Sequence, residues 1–466
     1  MGRRPHRRYK DRNRTTPAGQ ANAAAAAAAA EAGGEAADAV AMTCGLIRVG
    51  VFFDGTSNFR DKASDPAFGA YHTNPDLLGE IYPEDSGEVV RRTIGGQPRD
   101  TSYIELYMRG IGVRADGSKE SLGGGFGIGS EGVDGRSDQA IERSRTRVRS
   151  VTGAVKPCDI WFDVFGFSRG AAAARDFANA VKDGDSDSHG HTYKQTARGR
   201  RVDRRGPKPE VQFLGLFDTV SSTMSLTPGE TDGTWWVQLG TPGRAKSVYH
   251  ITADDEMREN FPLTLAASGR RTRMVGAHSD IGGGYHPPRT SGTLTVDDSR
   301  QGFVDRFSRL WNVVENGPPN ARGDSLRSEE LREDRPTSSM MRRLWQEYKE
   351  RHPLGWNSRK TFYEIGWRAE HGLQFVALRL MHHRAVAQGV PFPADLPARI
   401  GTVSTAIDAT LTAYWEALRD RRDVPDATEA LLRQAYCHLS AHNEVVSGGF
   451  QPFLPVHDGV RKFDTL

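Results

Sequence analysis

The chain has 466 residues, of which 37% are apolar and 26% charged, with a formal net charge of +3. That balance describes a globular protein with room for two or three domain-sized units, and the charge is too small to point to nucleic acid as a partner. The three cysteines, Cys44, Cys158 and Cys437, lie far apart, which excludes a disulfide framework and a cysteine metal cluster and predicts a fold that does not depend on bridges.

Residues 1 to 44 read as a disordered tail: a basic cluster from Arg3 to Arg14, then a run of alanines from Ala23 to Ala30. The tail lacks the leucine-type core of a signal peptide, and no stretch of about 18 apolar residues follows, so no membrane span is expected. A strand is predicted at Leu46–Phe53 and breaks at Asp54-Gly55-Thr56. A second strand, Tyr103–Met108, precedes a glycine-rich loop at Gly123–Gly129. That loop has the spacing of a dinucleotide fingerprint without its strand, helix and acidic partner, so no cofactor is expected. A polar helix follows at Asp138–Val151, then an apolar strand, Ile160–Phe165, runs into Gly166-Phe167-Ser168-Arg169-Gly170. The segment Asp183–Pro209, with its basic cluster Arg198–Arg205, reads as a flexible surface insertion. Further strands are predicted at Val211–Phe217 and Arg273–Val275. Beyond residue 300 the pattern predicts helices at Gly302–Val314, Ser338–Arg351, His371–Gln388, Val403–Arg421 and Ala427–His442. The expected architecture is α/β: an α/β-hydrolase-like, mainly parallel sheet with crossover helices over 45–300, and a helical region over 301–466 that caps or packs against it.

The turn at Ser168 has the Gly-x-Ser-x-Gly spacing of a nucleophile elbow. A serine at the tip of a tight strand-to-helix turn sits in strained backbone, so the positions two before and two after must be very small. Ala171–Ala174 then let the helix pack closely on the sheet, and its N-terminal dipole with the Arg169 N–H points to where an oxyanion would form. A serine nucleophile needs a base, and the base an orienting carboxylate, in the chain order serine, acid, histidine for such sheets. The strand Val211–Phe217 ends at Asp218, which reads as that acid or as a turn or helix-capping aspartate. The strand Arg273–Val275 leads to His278 and the glycine-rich Gly282-Gly283-Gly284, which suits a general base; His286, His250 and His457 are its rivals. A second oxyanion donor is expected from the loop after the first strand, at Gly55 or Thr56. Trp235-Trp236-Val237 reads equally as buried core and as part of an apolar lid. No metal-ligand set is evident.

With these residues in view, the sequence resembles the α/β-hydrolase family of type VI secretion phospholipase effectors of the first lipase class. Five stretches carry the resemblance: Val51–Asn58, the elbow Gly166–Ala171, Leu216–Val220, His250 with Asp255–Phe261, and Gly276–Tyr285. It implies Ser168 as nucleophile, Asp218 as its acidic partner and His278 as base. It implies further that the phospholipid membrane surface is the substrate and that fatty acid is released from glycerophospholipids. The protein would be made in a bacterial cytoplasm without a signal peptide and carried by a type VI machine into a rival's periplasm, with carrier and immunity proteins as partners. A soluble carboxylesterase or thioesterase with the same triad, and a non-catalytic hydrolase-like binding protein, are the other readings of these residues.

Overall fold

The protein is described here from a computed structural model, which describes residues 45–60, 72–118, 130–152, 155, 157–183, 194–197, 200–203, 209–221, 239–240, 245–258, 260–285, 307–315, 327–331, 359–366, 369–397, 400, 408–438, 461 and 463–464. Strand β1 (Gly45–Phe53) is buried at every position, as a strand covered on both faces must be, and its residues are apolar or glycine except for Arg48. Helix α1 (Asn74–Ile81) starts at Thr73, whose side chain accepts the Asp76 N–H, with Pro75 in the first turn. β2 (Val90–Ile94) and β3 (Gln97–Met108) form a hairpin across Gly95-Gly96, both at positive φ. Then come α2 (Val133–Thr152), β4 (Pro157–Phe167) and α3 (Arg169–Asp183). A hairpin of β5 (Lys194–Ala197) and β6 (Arg200–Asp203) occupies part of the predicted insertion. β7 (Pro209–Phe217), β8 (Ala245–Ala253), the short β9 (Leu263–Thr264), β10 (Arg270–Met274) and α4 (His278–Gly282) complete the first 285 residues.

The main sheet has the order β10-β8-β7-β4-β1-β3-β2. Every neighbouring pair is parallel except the β2/β3 hairpin at one edge. The chain lays β3 on one side of β1 and then crosses to lay β4 on the other. The carboxyl ends of β1 and β4 therefore flank a topological switch point, where open α/β sheets place their ligands. Ser168 and the Asp54-Gly55-Thr56 loop both lie at that end.

Two apolar layers cover the sheet. On one face α2 and α3 pack Val148, Ala171, Ala172, Ala173, Ala174 and Phe177 against Val49, Phe53 and Phe162. On the other, α5 (Leu373–Ala387), α6 (Ala409–Asp420) and α7 (Asp426–Tyr436) join α1 over Phe52, Phe165, Phe213 and Phe217. Each fully buried phenylalanine contributes about 1.5–3 kcal/mol. The helices beyond residue 370 are thus the second layer of the sandwich itself.

The helix predicted at Gly302–Val314 is instead the strand β11 (Phe307–Glu315), in a small sheet of order β11-β13-β12 with β12 (Arg327–Leu331) and β13 (Arg359–Gly366). Phe307, Trp311, Val313 and Val314 are aromatic or β-branched and suit extended backbone better than helix. Strand β14 (Phe463–Asp464) pairs in parallel with β9. The Ser338–Arg351 helix, the Gly123–Gly129 loop and Trp235-Trp236-Val237 lie outside the described residues. Cys158, at the head of β4, is disulfide-bonded, whereas Cys437 is a buried thiol whose Sγ donates to His438 O. The wide spacing of the three cysteines had given no sign of a bridge at Cys158. Among the described residues no helix is long and apolar enough to cross a membrane.

Candidate active site

Ser168 sits between the end of β4 and the start of α3 at φ 59°, in the left-handed region that non-glycine residues avoid. Its backbone is fixed by four hydrogen bonds: its N–H donates to Phe217 O at 3.0 Å, and its carbonyl accepts from Ala171 N at 3.0 Å, Val220 N at 3.3 Å and Ala172 N at 3.4 Å. The flanking glycines are required by space. A Cβ on Gly166 would stand 2.6 Å from Gly170 O, and one on Gly170 would stand 2.2 Å from Asp54 O. The elbow is therefore pressed against the end of β1.

Asp218 follows β7, is fully buried, and also lies at positive φ, 42°. Its Oδ2 meets His278 Nδ1 at 2.5 Å, and its Oδ1 accepts the Ala253 N–H at 2.9 Å. Arg461 grips the same carboxylate with both terminal nitrogens, Nη1 to Oδ1 at 2.7 Å and Nη2 to Oδ2 at 2.8 Å. Burial alone would raise the Asp218 pKa, but the Arg461 charge and the His278 hydrogen bond hold it well below the usual carboxylate range. An ionised Asp218 only accepts, so His278 Nδ1 carries the proton and Nε2 is the bare, proton-accepting nitrogen. Nε2 is buried and makes no hydrogen bond among the described residues, to Ser168 Oγ included. The imidazole lies 4.6 Å from the Phe167 ring and 5.2 Å, edge to face, from that of Phe261, and burial pushes its pKa down from 6.5.

The backbone of the histidine is held as firmly as its ring. Glu256 Oε2 accepts the His278 N–H at 3.2 Å. The same carboxylate takes the Arg258 Nε and Nη2 at 2.9 and 2.8 Å, and Arg258 lies over the Phe261 ring at 3.4 Å. Helix α4, which His278 begins, is tied down from three distant places. Asn74 donates to Ile281 O at 2.8 Å, Gln374 Oε1 accepts from the amides of Gly284 and Tyr285, and His438 Nδ1 meets Asp280 at 2.7 Å.

Of the residues predicted for the site, the structure joins Asp218 to His278 directly and sets Ser168 beside them through Phe167 and Phe217. Arg169 is buried at the first position of α3, where desolvation and the nearby Arg258 lower its pKa to about 10. The Gly55 N–H is engaged by Asp54 Oδ1 at 2.7 Å, whereas Thr56 Oγ1 is buried with no hydrogen-bond partner among the described residues. Asp54 also accepts from Thr73 and Tyr107, and burial with the nearby Asp76 pushes its pKa up to about 7. Of the rival histidines, His250 is buried with Nε2 accepting the Thr219 N–H at 3.3 Å, which leaves it no free basic nitrogen to present. His286 and His457 lie outside the described residues. Among the described residues one group, His72, Asp76 and Glu80, gathers possible metal ligands, but Arg60 already pairs with Asp76 at 2.6 Å.

Sequence reasoning assigned no role to Arg461, Glu256 and Arg258. The last two fall in a stretch that carries the family resemblance, while Arg461 stands alone in sequence with no motif around it.

No curated protein matches the chain. Residues 179–301 match the model of the T6SS, Phospholipase effector Tle1-like, catalytic domain. That span holds Asp218 and His278 and begins within the helix that follows Ser168. Among solved structures, the chain is similar to a Tle1 effector bound to the VgrG spike from the Type 6 secretion system. The likeness covers 93% of this chain and 98% of that one, at 22% identity and a TM-score of 0.55, and shows a shared fold. An uncharacterized protein from Pseudomonas aeruginosa is a more distant likeness, at 16% identity and a TM-score of 0.41, covering 84% of this chain and 53% of that one. Residues 179–301 thus resemble the catalytic domain of T6SS phospholipase effectors, and they lie within an α/β fold shared with the solved Tle1 effector.

Proposed function

We propose that the protein is a serine ester hydrolase that releases fatty acid from glycerophospholipids, a phospholipase A acting as an antibacterial effector. The observation that carries this reading is the buried Asp218–His278 hydrogen bond of 2.5 Å beside a serine at positive φ, with His278 Nε2 bare. Ser168 Oγ attacks the ester carbonyl as His278 Nε2 takes its proton, and Asp218 steadies the imidazolium. The Arg169 N–H at the start of α3 and the Thr56 hydroxyl or amide receive the developing oxyanion. His278 returns the proton to the departing lysophospholipid oxygen, leaving an acyl-serine. Water, deprotonated by the same nitrogen, then frees the fatty acid.

The substrate, the carrier and the destination rest on the resemblance to that family. The solved Tle1 effector is bound to a VgrG spike, and a spike protein of that kind is the carrier proposed here, with the rival's periplasm as destination and an immunity protein as guard. The test is fatty-acid release from phospholipid vesicles by wild type and Ser168→Ala. Loss of release with the fold intact is expected, and retained release by Ser168→Ala would sink the assignment. Saturation on dissolved short esters, with no activity on vesicles, would favour a soluble esterase instead.

A further inference from the structure

We infer that Arg461 is a positioning residue for the reaction: it clamps Asp218 in the orientation that turns Oδ2 to His278 Nδ1, so that the working centre is a serine, histidine, aspartate and arginine set. The inference rests on the reading of Ser168, His278 and Asp218 given above.

Three observations carry it. First, the contact is two-pronged. Both terminal nitrogens of Arg461 meet both oxygens of Asp218, at 2.7 and 2.8 Å, and the planar fork of a guanidinium fixes a carboxylate's rotation as a point charge does not. Second, Arg461 is itself held rigidly. Its Nε donates to Phe261 O at 2.9 Å and its Nη1 to Ala253 O at 3.2 Å, and two residues on, β14 pairs with β9. Third, everything that holds Arg461 also touches the site. Phe261 packs its ring edge to face on His278, Ala253 N–H shares Asp218 Oδ1, and Thr264 of β9 bonds Thr219 and Ser221 beside Asp218. A guanidinium whose only task was to neutralise a buried carboxylate would need none of this alignment.

The clamp also sets how strongly Asp218 holds the imidazolium. The charged groups facing His278 are Asp218 at the end of β7, Glu256 and Arg258 from the segment after β8, and Arg461 acting through Asp218. His250, behind Asp218, is neutral at working pH. With Arg461 gone, Asp218 is no longer shared with a cation and becomes the stronger partner of a charged imidazole. The His278 pKa then rises, and the acid limb of kcat/KM moves to higher pH.

The experiment compares wild type, R461K and R461A as full chains, with thermal melts to establish that each is folded. Fatty-acid release and the rate of Ser168 labelling by a fluorophosphonate are followed against pH, with and without millimolar guanidinium chloride. A fall in kcat/KM of about 100-fold is expected for R461A, with R461K between it and wild type. An acid limb displaced upward and saturable recovery by guanidinium complete the expected pattern. A folded R461A that labels at the wild-type rate would overturn the inference. So would one whose loss is neither relieved by guanidinium nor accompanied by a shifted limb, because that is the behaviour of a merely structural residue. The titration of His278 in protein carrying 15N-histidine separates the two proposals. A rise in its pKa in R461A, in a protein whose wild type neither labels nor releases fatty acid, supports the clamp and refutes the serine hydrolase. An unchanged pKa, in a protein whose wild type is active, does the reverse.

Discussion

Replacing Gly170 by alanine tests how tightly the elbow is built. At a position near the start of a helix, alanine would ordinarily be favoured over glycine by about 1 kcal/mol. Here its Cβ would lie 2.2 Å from Asp54 O and 2.8 Å from Phe53 O, where a carbon and an oxygen in contact sit about 3.3 Å apart. Both obstacles are backbone of β1, a fully buried strand, so neither can swing aside as a side chain would. The start of α3 and the end of β1 must therefore part by about 1 Å. Overpacking of that kind costs about 1–3 kcal/mol, enough to outweigh the helix propensity. The kinetic effect is larger, because a displacement of about 1 Å at the reacting groups lowers the rate by about 100-fold. Gly170→Ala should thus show a lower urea midpoint and a far greater loss of fatty-acid release from vesicles. A variant with wild-type midpoint and wild-type rate would refute the reasoning, since it would mean that the elbow and β1 are not in contact.

The buried histidine behind Asp218 predicts a pH dependence of stability. His250 is lowered from 6.5 to about 3, chiefly by burial and then by Arg175, so the unfolded chain takes up a proton that the folded chain refuses. The stability it confers is complete above pH 6.5 and falls by about 1.4 kcal/mol per pH unit on the way down to pH 3. His250→Asn should flatten the slope of urea midpoint against pH in that window, and an unchanged slope counts against the buried neutral form. In the sheet, Asp163 accepts from Arg48 at 2.7 and 3.0 Å and from Tyr82 at 2.9 Å, all three side chains buried. Asp163→Ala leaves the guanidinium uncompensated and should cost about 3–5 kcal/mol in a denaturant titration, while Arg48→Met with Asp163→Leu should cost less. Equal losses in the single and double variants would show that the charge is not what matters.

Much of the fold was legible because its signals are local. The strands β1, β4 and β7 are mostly apolar with few polar residues among them, and the elbow is a five-residue motif whose steric logic is complete within itself. Asp218 and His278 were found because each follows a strand in the order that such sheets demand. What escaped lacked a local signature. β8 begins Ala245-Lys246-Ser247 and hides its strand under polar residues, and β2 is a charged edge strand marked only by the glycine pair after it. The residues that hold the histidine, Glu256 above all, look like an ordinary acidic stretch until the fold turns Oε2 onto the His278 amide. Arg461 is separated from Asp218 by 243 positions, and no periodicity or spacing encodes a contact of that range. The Asp54-Gly55-Thr56 loop was legible as the break after β1, but the engagement of the Gly55 amide by its neighbour's carboxylate is a matter of side-chain geometry that the sequence does not carry.

The ties on helix α4 bear on when the proposed activity can appear. Residues 74, 374 and 438 steady the segment that bears the histidine, residue 256 holds its amide, and residue 461 fixes the aspartate that faces it. No contiguous piece of the chain, and no partly folded intermediate that lacks one of these distant anchors, holds the full arrangement. Under the proposed reaction, a chain still emerging from the ribosome, or threaded unfolded through a narrow conduit, is harmless to the membrane beside it. The proposed activity then arrives in one step, with the closing of the last contact.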